Sequence, residues 1–162
     1  MRGYHEPEHP VQLGCHAAHA EAAEVEPEDA ASDGCGVVTF ALPLWRMAHA
    51  YARLESLPGG DRIAAAMRAR PDLIGGPDGV DFLLMRDAPG WLAKGGAEGL
   101  LCAAGPDGLG VAIKSEDGAS RPHAPALAAF LARLGVAVES LAEVPLLNSR
   151  GEHVGAIAVS PS

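Results

Sequence analysis

Apolar and polar residues alternate in several distinct patterns along the chain. Over residues 43–56, PLWRMAHAYARLES, Leu44, Met47, Ala48, Tyr51 and Leu54 recur three and four positions apart, which lines one face of a helix. Pro43 suits the first helical position, because its missing N–H would find no partner there anyway. DRIAAAMRAR predicts a second helix, with Asp61 as N-cap and Pro71 just past its end. VQLGCHAAHAEAAEV, residues 11–25, reads as a helix, and the PEDAASDGCG that follows, residues 27–36, reads as a turn-rich loop dense in small and acidic residues. Near the other end, APALAAFLARLG puts Leu127, Phe130, Leu131 and Leu134 on one helical face and stops at Gly135.

Strand signals lie between these helices. LLCAA and LGVAI flank a turn built from Gly105, Pro106, Asp107 and Gly108, which predicts a hairpin. VVTFALP, bounded by Gly36 and Pro43, reads as a buried strand or an extended wall of a site, and HVGAIAVS as the last strand. Helices and short strands together predict an α/β chain. Ala is about a fifth of the 162 residues and only seven are aromatic, so the core must be made of Leu, Val, Ile, Ala and Met. A free-standing domain of this length buries roughly 70% of its unfolded surface. The chain is expected to be one soluble domain, or part of one.

Charge narrows the partners. The formal charge is −9, and residues 1–33 hold eight acids against the single base Arg2. An acidic chain with no Lys/Arg stripe lacks the footprint that phosphate backbones and anionic membranes require. No apolar run reaches the 18 or so residues that span a bilayer, and the start of the sequence is polar where a signal peptide is apolar, so a cytoplasmic location is the default expectation. Cys15, Cys35 and Cys102 cannot all pair and read as free thiols or a metal ligand.

Three groups of residues could carry chemistry. Asp33-Gly34-Cys35-Gly36 brackets a cysteine between two glycines, a path that aims Cys35 either at a metal or at a substrate, with Asp33 nearby; the plainer reading is a buried thiol in a tight turn. Cys15 and His19 share a helical face and could offer two donors to zinc, with His16, His5 and His9 close by, or simply form a solvated surface. Lys94 and Lys114 are the only lysines beside ten arginines. Lys94 is placed at a strand start before Gly95-Gly96, and Lys114 at a strand end. Each could turn an ammonium into a cleft, as a base or an oxyanion partner, or reach solvent. No Gly-x-Ser-x-Gly, phosphate loop, Gly-x-Gly-x-x-Gly or Ser-x-x-Lys pair occurs, so no complete catalytic set is present.

The blocks GYHEPEHPVQ, DGCGVVTFALPL, RIAAAMRARPDLIGG, KGGAEGLLCAAGPDGLGVAIKSEDG and NSRGEHVGAI, in this order, resemble the C-terminal half of the rhizobial-type L-asparaginases (asparaginase II), a family similar in fold to serine β-lactamases and bacterial glutaminases. The resemblance covers nearly the whole chain. It implies a layered helix–sheet–helix fold with a mainly antiparallel sheet, present here as its C-terminal part, and hydrolysis of L-asparagine to aspartate and ammonia through a lysine-activated serine. It also implies a homodimer, and Cys35 as one ligand of a zinc ion. Asp33 and Gly34 then fall beside the substrate, Lys114 matches a lysine paired with a second serine, and Lys94 falls on the Lys-Thr/Ser-Gly strand of the related enzymes. The family's nucleophilic Ser-x-x-Lys pair and the other zinc ligands would lie upstream of residue 1, and Cys15 and His19 do not replace them. With half of the sheet missing, LLCAA and VVTFALP are expected to present bare apolar faces. Two other readings remain at this point: a non-catalytic module that binds a small ligand or a partner, and a small zinc protein built on Cys15, His19 and Cys35.

Overall fold

Six α-helices and seven strands alternate along residues 3–160, the part that this structure, a computed structural model, describes. In chain order they are α1 (Pro10–Ala23), β1 (Glu28–Ser32), β2 (Val38–Ala41), α2 (Leu44–Ala52), α3 (Gly60–Ala69), α4 (Asp72–Gly75), α5 (Val80–Asp87), β3 (Leu92–Gly96), β4 (Leu100–Ala104), β5 (Gly110–Lys114), α6 (His123–Ala132), β6 (Glu143–Leu147) and β7 (His153–Ala158). All strand pairs are antiparallel, and the chain is a mixed α/β structure.

Strand β4 is apolar at every position and lies in the middle of a three-stranded sheet, between β3 and β5. Side chains alternate across a strand, so each face of that sheet has its own packing partners. Leu101 and Ala103 join Ala93 and Val111 on one face, against Leu84 and Ala88 of α5 and Ala124, Leu127, Ala128 and Leu131 of α6. Leu92 and Ala104 face the other way, against Ala64 and Met67 of α3 and Tyr51 of α2. Leu84, Leu92, Leu101, Leu127, Leu131 and Leu141 are fully buried, and each such leucine contributes roughly 1.5–3 kcal/mol through its burial. Trp91 is the single buried aromatic among the described residues, as a core of Leu and Ala implies.

LLCAA is therefore covered on both faces by this chain's own helices, and the bare apolar face expected for it does not occur. The sheet is also narrower than the expected layered fold. β1–β2 and β6–β7 form two separate two-stranded ladders, apart from β3–β4–β5.

Local chemistry explains the other differences. The presumed loop of residues 27–36 contains β1, which pairs with β2 around the Asp33–Gly36 turn. VVTFALP is consequently a half-exposed hairpin strand, not a buried one. α3 starts at Gly60 behind an N-cap at Gly59, and Asp61 sits in its first turn, where a carboxylate suits the helix dipole. Only glycine fits at position 60, because a Cβ there would lie 1.7 Å from the Leu54 carbonyl oxygen. On α6, Ala124, Leu127, Ala128 and Leu131 form the buried face, while Phe130 and Leu134 are 43% and 51% exposed. The alanines let the helix approach the sheet closely, and the stripe rotates toward them. Gly135 ends the helix as expected, at φ +82°, with Val136 N–H returning to the Leu131 carbonyl at 3.0 Å. The hairpin of residues 100–114 and the helix beginning beside Pro43 also form where the pattern placed them.

α1 is held differently. It buries only Gln12 and Ala23, and its C-terminal carbonyls are taken by α2 and the residue after it. Arg46 donates to Ala23 O at 3.0 Å, and Arg53 to Glu21 O and Ala22 O at 2.9 and 3.0 Å. Glu24, left-handed at φ 53°, closes the helix and receives His49 at 2.9 Å and Arg53 at 3.2 Å. The His49 hydrogen bond, then the Arg53 charge, hold its carboxyl below the usual range.

Close approach at Gly110 joins α2 to the sheet, since a Cβ there would meet Ala48 O at 1.8 Å. Gly110→Ala should lower the stability by about 1–3 kcal/mol. Gly14→Ala, on α1 with open space around it, should raise it by about 0.5–1 kcal/mol. Urea unfolding midpoints check both, and a Gly110→Ala variant as stable as the parent would refute the contact.

Candidate active site

Lys94 occupies the middle of β3 rather than its start, directly opposite Cys102 on β4. Its ammonium donates to the Gly95 carbonyl. Among the described residues no carboxylate lies within 4.0 Å of either lysine, whereas Arg46, Arg53, Arg68, Arg70, Arg86, Arg121 and Arg150 all have one. The scarcity of lysine noticed in the sequence thus has a structural counterpart: arginine serves ion pairs, and lysine does not.

Three cavities meet at Lys94. One of about 480 Å³ lies among α1, α2 and α3, with Leu54, Ile63 and Met67 in its walls. A second of about 490 Å³ runs between α1, β2 and β3, past Cys15, Phe40 and Cys102. His19 and Tyr51 line both. The third, of about 360 Å³, opens on the opposite side of β3. Apolar walls with a few convergent polar groups are the usual form of a small-molecule site. Burial pushes the Tyr51 phenol up and the Cys102 thiol up to about 11, so at neutral pH both are neutral donors.

Of the other residues singled out in the sequence, Cys15 and His19 line these cavities, whereas Lys114, Asp33, Gly34 and Cys35 do not. Lys114 shares a sheet face with Lys94 but stands two strands away, their Cα atoms about 12 Å apart by strand geometry. It donates to the carbonyl of Glu98, a left-handed residue at φ 55°, and lines none of the three cavities. Ser115 N–H and buried His123 Nε2 both donate to Gly99 O, at 2.9 Å each. Lys114 therefore helps close the turn between β3 and β4.

Asp33 caps its own turn, its Oδ1 accepting Cys35 N–H at 2.8 Å and Val37 N–H at 3.1 Å. Gly34 and Cys35 are exposed on that turn, so the thiol is not the buried one of the plainer reading. On α1, His19 Nδ1 donates to Cys15 O at 2.7 Å, and both His16 and His19 pack against Phe40. Among the described residues no group of three or more His, Cys, Asp or Glu side chains is placed to hold a metal ion. Cys15, His19 and Cys35 therefore do not form a three-donor zinc set by themselves. No helix is long and apolar enough to cross a membrane.

Sequence reasoning missed Tyr51 as a site residue, since it was assigned only to a helix face, and missed Cys102 opposite Lys94, because the predicted hairpin joined LLCAA to LGVAI and left the pairing of β3 with β4 unread. Thiol accessibility tests this arrangement. Cys15 and Cys35 should react rapidly with a thiol reagent at neutral pH. Cys102 should be protected until the protein unfolds or the pH nears 11, so three fast thiols would contradict it.

No curated protein matches the chain. The family model of L-asparaginase II matches residues 1–159, nearly the whole sequence, and the chain therefore belongs to the L-asparaginase II family.

Proposed function

We propose that this chain supplies the substrate-holding part of an amidohydrolase that converts L-asparagine to L-aspartate and ammonia. The observation that carries the reading is Lys94: in a family that acts through its name on an amino-acid amide, it is the cation at the meeting point of three cavities and has no carboxylate of its own among the described residues. An α-carboxylate is the natural partner of such an ammonium.

The nucleophile comes from outside residues 1–162, because these contain no Ser-x-x-Lys pair. In the proposed reaction a serine oxygen supplied by that segment attacks the carboxamide carbon. The C–N bond breaks, ammonia leaves with the hydroxyl proton, and water hydrolyses the resulting ester to give aspartate and the free serine. Lys94 holds the substrate during both steps. Additional strands from the same segment would extend the three-stranded sheet toward the layered form of the serine β-lactamase-like enzymes. No step is assigned to zinc.

Translating the reading frame upstream of Met1 and co-expressing what it encodes provides the test. Ammonia release from L-asparagine should require both parts and fall at least about a hundredfold in Lys94→Met, the loss expected for a charged contact of roughly 3 kcal/mol. Equal release from residues 1–162 alone, or an unaffected Lys94→Met enzyme, would sink the reading.

A further inference from the structure

The cavity among α1, α2 and α3 is larger and more apolar than a four-carbon amide requires. Leu54, Leu57, Ile63, Met67 and Ile74 form much of its wall, and none of them is fully covered: Ile63 is 51% exposed and the other four are half-buried. Water against such a wall is displaced favourably by an apolar chain that fits, and about 480 Å³ lies within the range of small-molecule sites. The proposed reaction uses none of these five side chains.

Polar groups collect at one end only. Lys94, Tyr51 and His19 line this cavity and also the neighbouring one between α1, β2 and β3, so they stand where the two join. Lys94 is two residues from Leu92 on β3, and its side chain therefore shares the sheet face that packs on α2 and α3. One proton of its ammonium goes to the Gly95 carbonyl, which leaves two for a ligand. The Tyr51 hydroxyl is a second donor. His19 is not a third: its Nδ1–H is used on Cys15 O, and the neutral ring then offers only an acceptor.

The charge of a suitable ligand follows from this wall. Glu21 is its one carboxylate among the described residues and lies exposed at the rim, where it would repel a second negative charge. An amine would leave Lys94 without a counter-charge. Across β3, Asp81 is 5% exposed and held in a tight loop, since a Cβ at Gly75 would come within 2.1 Å of its Oδ1 and one at Gly79 within 2.5 Å. A buried carboxylate there disfavours an anion on that side of the strand, so a single negative charge belongs on the face of α2 and α3.

We propose that this cavity binds a monocarboxylate with an unbranched apolar chain, a medium-chain fatty acid, with its carboxylate on Lys94 and Tyr51 and its chain along Leu54, Ile63, Met67 and Ile74. The site shares only Lys94 with the amidohydrolase reading and does not depend on it.

Equilibrium dialysis of the chain against labelled butyrate, hexanoate and octanoate tests the site. Each added CH₂ should tighten binding about three- to fourfold, the effect of burying one such group, so octanoate should bind at least about fiftyfold tighter than butyrate. Octanol and octylamine carry the same chain and should bind at least about tenfold more weakly than octanoate. Lys94→Met should bring octanoate to the level of octanol and leave octanol unchanged. Ile63→Gln should weaken octanoate at least about threefold and leave butyrate unchanged. Both positions are open to solvent, so neither variant removes a buried contact, and circular dichroism checks that each is folded. Affinity that does not depend on chain length, octanol or octylamine equal to octanoate, or octanoate binding unchanged in Lys94→Met would overturn the site. Absence of octanoate binding would do so as well, and if sedimentation then showed the chain to self-associate, the cavity would belong to a second copy. Ammonia release from the reconstituted enzyme decides the other reading separately: release without octanoate binding removes only this site, and octanoate binding without release removes only the reaction.

Discussion

A strand with no polar side chain can only lie between two apolar layers, and β4 imposes that requirement on everything around it. Its five residues alternate between two helical layers, so the three-stranded sheet needs α5 and α6 on one side and α2 and α3 on the other. The composition then sets how close those layers come. With alanine and leucine in place of aromatic residues, depth is gained by proximity: Gly110 touches the backbone of α2, and Ala124 and Ala128 bring α6 onto the sheet. A thin core of this kind leaves open space where helices diverge, and the cavities around Lys94 occupy those gaps.

The sheet's edge acquires its polar groups from the same geometry. β3 has β4 on one side only, and the Gly95 N–H and C=O are taken by side chains, Asp81 and Lys94 respectively. At Gly95 the edge is thus satisfied from within the chain, and covering edge groups is one way that proteins avoid unwanted strand addition. An acid and a base are thereby brought to one residue from two different elements.

How much of this could be read from the sequence depended on the range of the interaction involved. The hairpin of residues 100–114 was legible because Gly-Pro-Asp-Gly fixes its turn locally, and the stop at Gly135 because one residue's backbone freedom decides it. Periodicity misplaced the buried face of α6, since it weights Phe130 and Leu134 by size while the structure selects the smaller Ala124 and Ala128 for fit. The Asp33–Gly36 segment was recognised as special but for a different purpose: its carboxylate and glycine make a hairpin turn, a local role that leaves the thiol outside the cavities. Lys94 was found from composition alone, through the contrast between two lysines and ten arginines. Asp81 left no such trace, because its burial follows from two glycines whose purpose appears only when the loop is closed in space.

α1 presents the opposite kind of attachment to the sheet helices. Its hold on the molecule consists of guanidinium groups on carbonyl oxygens and a left-handed glutamate among three basic side chains, with little apolar area behind them. Polar links at the surface weaken with ionic strength, while buried leucines respond to temperature and denaturant. Two of the three cavities have α1 as a wall and the sheet or its helices as the other. The α1 side of these spaces is therefore the more sensitive to ionic strength, and the sheet side the more sensitive to denaturant.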